Sequence, residues 1–487
     1  MVLERRYSGN SFFSCYCGDA GLAGKMLTKV CLTDKDVRGR LCRGANLRHS
    51  RVLIIFGLAI PLFGQVTPYQ GPAVLTRGQA PAAMATPQVD LRPFVEVTGV
   101  YDTGLTGVIV DDKGQLAEAE AGGVEIAGGI SGVHSWKHTL VGLDYRGAFR
   151  HYTKQTYYDG TDQALLLGVT QQLSRHTALV LREAGGLFSR DVGVPGIPQT
   201  VPFDPATSFI PTTDFFDNRT LYLSTQADFT YQRSARLSFD AGGDGFLARR
   251  RSSALYGVTG GGAHGDVQYR LSRRTTIGVG YQYTHFDFTG VFSGTDLHTF
   301  VGSYAIRLSR SLEFTAYAGA IRAETKFIQS IPVDPVVAAL LGQSNADVIV
   351  HRIDCLPTVQ ARISDTLRSG VIYATGGHTV TPGNGLFLTS EVTSIAAGYT
   401  YTGLRRWSFN AQAAASIADS VANYTGRYNS YNGILTVSRQ ISGSVHAIVS
   451  FGARQYDSPD FSNYHRLIYN ARVGIGFSPG DIPLRLW

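Results

Sequence analysis

Cysteine is almost missing from this sequence. Four of its five cysteines (Cys15, Cys17, Cys31, Cys42) precede residue 65, which leaves Cys355 alone in the rest of the chain. A single thiol excludes an internal disulfide and a cysteine zinc site there. Charge is sparse as well, at 17% of residues, and the formal excess of +7 is a leader effect. Ten of the 44 Lys and Arg but only four of the 37 Asp and Glu lie in residues 1–64, so 34 basic side chains face 33 acidic ones beyond them. That balance gives no footprint for nucleic acid. No apolar run reaches the roughly 20 residues of a membrane-spanning helix. A P-loop, a nucleophile elbow and a dinucleotide fingerprint are all lacking. The glycine runs Gly260–Gly262 and Gly242-Gly243-Asp244-Gly245 lie within strand patterns, where they ease curvature. No catalytic set, metal site or cofactor is therefore expected.

What the sequence does have is glycine (56), tyrosine and phenylalanine (25 each) and a mean hydropathy near zero. Tyr269–Phe288, YRLSRRTTIGVGYQYTHFDF, shows how these combine: a short polar turn, then a long run of period two. Ile277, Val279, Tyr281 and Tyr283 alternate with Thr276, Gly278, Gly280, Gln282 and Thr284. The run exceeds the roughly 5 to 6 residues of a soluble strand and suits the roughly 9 to 11 of a tilted strand crossing a bilayer.

The N-terminal part divides by composition. Val52–Phe63, VLIIFGLAIPLF, follows Arg48 and Arg51 and has the outline of an export signal, with cleavage expected after Gly64. Translation is expected to start near Leu47, which makes residues 1–46 a non-native upstream extension and residues 47–64 the signal peptide. Residues 65–90, rich in Pro, Ala and Gln, read as a disordered periplasmic lead-in, and residues 91–487 as the barrel.

Polar turns of related chemistry recur at 134–139, 173–177, 232–237, 271–275, 308–312, 363–367, 402–407 and 439–444. Between them eighteen strands are expected, with sixteen if one hairpin merges. An even count puts both chain ends and all the short turns on the periplasmic side. A β-propeller also suits a repeat near 40 residues, but its blades hold four short strands, not two long ones. The expected fold is therefore all-β, a transmembrane antiparallel up-and-down barrel.

The export signal, the LSR-type turns and the YQYTHFDF-like strands resemble the uncharacterised outer-membrane β-barrel porins of diderm (Gram-negative-type) bacteria over residues 90–487. The resemblance implies passive diffusion of small polar solutes across the outer membrane. Its partners would be outer-membrane lipid, lipopolysaccharide and the barrel-assembly machinery, with homotrimers common among such porins. Such barrels usually end on an aromatic residue. Here Phe477 and Trp487 both fit that role. Polysaccharide export, or a closed structural or surface-binding barrel, is the alternative function, and a barrel enzyme ranks behind both.

Candidate site residues follow from parity. Asp144, Arg146 and Arg150 face the lumen from the third strand, and Arg472 from the last. Arg182, Asp228, Asp240, Asp244 and Glu313 also fall on inward positions. Lysine is rare beyond the leader (Lys113, Lys137, Lys154, Lys326), and Arg forks suit pairing with carboxylates in a pore wall or a filled lumen. The resemblance implies that the third outer loop, 191–217, folds inward and narrows the channel through Asp191, Asp204, Asp214 and Asp217. A proline-stiffened surface loop is the other reading. PVVAALLGQ (335–343) could form a short helix in the sixth loop. Finally, a hairpin symmetric about Val291 and Phe292 sets His285 opposite His298 and Asp287 opposite Asp296 on the outward face of the rim. Contact with lipopolysaccharide explains that group more simply than a metal or a catalytic role.

Overall fold

The computed structural model describes residues 90–103, 120–153, 159–188, 220–250, 255–334, 342, 345–383, 385, 388–401, 403–404, 406–421, 426–457, 465–479 and 482–483. The apolar segment at 52–63, most of the lead-in, the four third-loop aspartates and the 335–341 part of the sixth loop lie outside the described residues.

The first nine strands are β1 (Asp90–Asp102), β2 (Ala121–Ser135), β3 (Thr139–Tyr152), β4 (Gly160–Gln172), β5 (Thr177–Phe188), β6 (Thr220–Gln232), β7 (Leu237–Arg250), β8 (Gly257–Arg270) and β9 (Thr275–Thr289). The next nine are β10 (Ser293–Arg307), β11 (Leu312–Pro332), β12 (Asn345–Leu367), β13 (Gly370–Thr381), β14 (Ser390–Tyr401), β15 (Trp407–Ser420), β16 (Arg427–Gln440), β17 (Val445–Asp457) and β18 (His465–Phe477). Each pairs antiparallel with its sequence neighbours, and β18 closes on β1 from Val95↔Phe477 to Asp102↔Asn470. The sixteen-strand alternative is excluded. β11 and β12 run farther than expected because their ladder continues beyond the rim to Pro332↔Asn345. After Phe477 the chain turns back, and a two-residue β19 (Ile482–Pro483) extends the seam along Asp90 and Leu91. Phe477 is thus the aromatic end of the last spanning strand.

The recurrent turns have a common cause. Ser174, Ser234, Ser272 and Ser309 each follow the strand end, and their Oγ accepts backbone N–H bonds of 2.9–3.2 Å from residues two or three further on. In each turn the serine's own N–H also bonds the carbonyl three residues later, as in Ser272 to Thr275 at 3.1 Å. A short side chain that replaces backbone partners lets the chain reverse in a few residues. The turns are therefore tight on this side of the barrel.

Alternation then sorts the two faces. Val279, Ile395 and Val473 are 65%, 63% and 61% exposed on the outside, with large aliphatic and aromatic neighbours all round. A continuous apolar exterior of this extent is a lipid face. Near the tight turns it ends in stacked aromatic pairs, Tyr231–Phe239 and Trp407–Phe409, with the Arg439 guanidinium 5.1 Å above the Trp407 ring. Such girdles mark the membrane interface.

Candidate functional site

Among the described residues the lumen wall concentrates charge in two arcs, with Arg352, Asp354 and Arg362 of β12 and Arg454 of β17 standing outside them. The first spans β18 and β1 to β4 and is built around Glu125, which is 2% exposed. Arg150 donates to Glu125 Oε2 through Nε at 2.9 Å and Nη2 at 2.6 Å, and also reaches Asp162 at 3.2 Å. Arg472 donates to Glu125 Oε1 at 3.3 Å, while Arg146 lies 3.6 Å from the same oxygen and 3.8 Å from Glu96. One carboxylate thus organises three guanidiniums from β3 and β18. This sharing satisfies fixed forks that would otherwise repel one another. Asp144 shares the inner face of β3 with Arg146.

The second arc, on β5 to β8, is acidic. Asp228 and His264 flank Gly242 in register across three strands, and Asp240 lies opposite Asp266. Arg182 donates to Gln226 Oε1 at 3.3 Å, and Gln226 in turn donates to Asp228 Oδ1 at 3.3 Å. Thr230 donates to Asp240 Oδ2 at 2.5 Å. Asp244 continues the inner face of β7 opposite Gly262. Glu313 sits at the mouth on the side of the tight turns, where Arg307 holds it at 3.0 Å.

Sequence reasoning passed over Glu96, Glu125, His264 and Asp266, which stand beside several of the nine lumen candidates. The same alternation, read through β1, β2 and β8, marks all four as inward.

The inner face also carries part of the loop between β13 and β14. Gly385, Leu388 and Thr389 of this loop turn into the barrel: Leu388 is 4% exposed and Thr389 and Ser390 are fully buried. Leu388 packs in a cluster with Tyr222, Phe246, Phe286, Phe288 and Ile321, which belong to β6, β7, β9 and β11. Three polar links fix the crossing. The Tyr256 N–H donates to the Gly385 carbonyl at 3.0 Å, Arg250 Nε donates to the Tyr256 carbonyl at 3.1 Å, and the Thr295 and Thr389 hydroxyls meet at 2.6 Å. Gly385 has φ +88°, and a Cβ there would lie 2.4 Å from Arg250 Nε. Only glycine combines that backbone with so close an approach. At this level Leu388 and its aromatic neighbours form an apolar cluster on the inner face, with Arg250 and the Thr295–Thr389 pair at its edge.

The rim hairpin differs from expectation. It pivots at Gly290, whose φ is +88°, so His285 pairs with Asp296, Asp287 with Gly294 and His298 with Tyr283. The left-handed glycine sets the turn one residue earlier than a symmetric reading allows. The group nevertheless converges on the outward face. His285 lies 2.8 Å from Asp296 through Nδ1 and 3.0 Å from Asp287 through Nε2, and Tyr283 donates to Asp296 at 2.7 Å. His298 meets the Tyr281 hydroxyl at 2.8 Å. Both imidazole nitrogens of His285 are thus engaged within the cluster.

No protein-family model and no curated protein matches the sequence. Among solved structures, the chain is similar to OccK2 (OpdF) of Pseudomonas aeruginosa in complex with glucuronate, at 12% identity and TM-score 0.40, over 80% of this chain and 98% of that one. It is similar to OpdK of the same organism with vanillate, at 12% identity and TM-score 0.36, over 80% and 98%. OccAB3 of Acinetobacter baumannii is a further neighbour, at 10% identity and TM-score 0.35, covering 80% and 99%.

Proposed function

We propose that this protein is an outer-membrane channel for passive diffusion of small polar solutes. The observation that carries this reading is a closed eighteen-strand ring with an apolar exterior and an inner wall charged along two arcs. A ring of this size leaves room for an aqueous path unless it is filled. In this reading Gly385, Leu388 and Thr389 narrow the path, and Arg146, Arg150, Arg472 and the acidic arc give the wall its field. The third-loop aspartates Asp191, Asp204, Asp214 and Asp217 would add to the constriction. The polar rim at His285, Asp287 and Asp296 stands beyond the Tyr281–Phe300 pair, whose ring centroids are 4.7 Å apart, and is placed to meet lipopolysaccharide headgroups.

Single-channel recording in a planar bilayer tests the reading. Purified protein should give discrete current steps that grow with salt concentration. Replacing residues 383–388 with two glycines should enlarge each step, because the loop no longer crosses the lumen. Silence from protein shown to be folded would overturn diffusion. Equal steps from both proteins would remove loop 382–389 as the constriction.

A further inference from the structure

We propose that the acidic arc holds a divalent transition-metal ion, with Asp228, Asp240 and His264 as its protein ligands. One atom from each lies within 4.8 Å of the other two. His264 Nε2 stands 3.4 Å from Asp228 Oδ1 and 3.5 Å from Asp240 Oδ1. Those separations are long for hydrogen bonds, whose usual range is about 2.7 to 3.2 Å. They match the edge of a tetrahedron, about 3.3 to 3.4 Å, around an ion bonded at about 2.0 to 2.1 Å.

The surroundings point the same way. Asp240 and Asp266 face each other directly across the β7–β8 ladder on the inner face, with Asp228 beside them. Like charges directly opposite are unfavourable in a sheet, and a bound cation between them removes the penalty. Gly242 occupies the middle of the Asp228–Gly242–His264 row. A Cβ on it would lie 2.4 Å from Asp228 Oδ1 and 2.6 Å from His264 Cε1, so glycine leaves the two ligands free to converge. Outer contacts orient the carboxylates, from Gln226 to Asp228 and from Thr230 to Asp240, as metal ligands commonly require. One imidazole with two carboxylates suits zinc and its neighbours, and water completes the coordination.

The experiment is calorimetric titration of Zn²⁺ into the full chain in detergent, after stripping with chelator. One ion per chain is expected to bind. His264→Asn and Asp240→Asn, both close in shape, should each weaken binding at least about tenfold. Asp287→Asn, at the outer rim, should leave the isotherm unchanged. A shift in electrophoretic mobility on heating confirms that each variant is folded, and Gly242→Ala supplies a further variant that removes no charge and should also weaken binding. Folded protein that takes up no Zn²⁺, an isotherm indifferent to His264→Asn, or one lost in Asp287→Asn would each overturn the assignment. Detergent calorimetry reads the site without solute passage, so its failure is distinct from failure of the channel reading.

Discussion

Replacing Glu125 with glutamine is expected to cost about 3 to 5 kcal/mol of barrel stability, the range for removing one partner from a buried ion network. The glutamate touches Arg146, Arg150 and Arg472 and is 2% exposed, so its loss leaves three guanidiniums facing one another with their central carboxylate gone. The effect should be seen as a lower urea midpoint when folded protein is titrated in detergent or bilayer. A double variant, Glu125→Gln with Arg472→Met, should recover part of the loss, because one of the uncompensated charges goes with it. If the single variant unfolds at the wild-type midpoint, the network is hydrated and contributes little.

Val279→Arg is expected to cost about 2 to 4 kcal/mol, the penalty for arginine on the lipid face near mid-depth. Val279 is 65% exposed, and at an exposed site in a water-soluble protein the same change usually stays within about 0.5 kcal/mol. The contrast makes this substitution a test of the membrane itself. Gln282→Arg, three residues on and inward-facing, should be tolerated. Refolding yields into lipid vesicles, compared for the two variants, read the difference. Equal yields would mean that the exterior of β9 does not meet hydrocarbon.

Much of this architecture is legible in the sequence because a barrel is built from local rules. Period two in β9 fixes which side of the strand Ile277 and Gln282 take, and the serine turns fix where strands end, so the strand number follows. Features that depend on contact between distant strands do not follow. The inward placement of Gly385 and Thr389 rests on Thr389 meeting Thr295 and on Gly385 meeting Tyr256, and nothing near Gly385 in sequence announces either partner. The rim register was missed for a smaller reason, because whether Gly290 takes a positive φ decides between two pairings that composition does not separate. His264 was passed over although its parity is plain, since a histidine gains meaning only once Asp228 and Asp240 are seen beside it.

The seam between the two ends of the barrel has a consequence for biogenesis. Leu91 pairs with Ile482 and Val95 with Phe477, so the bonds that complete the ring join residues at opposite ends of the folded chain. Closing so long a loop carries a large entropic cost before any contact repays it, and such non-local pairing is slow. Until β18 arrives, β1 and β17 present open edges whose backbone groups hydrocarbon cannot solvate. A chain cut short before Phe477 therefore keeps two unpaired edges, and within the bilayer it needs another partner for them before it can rest there.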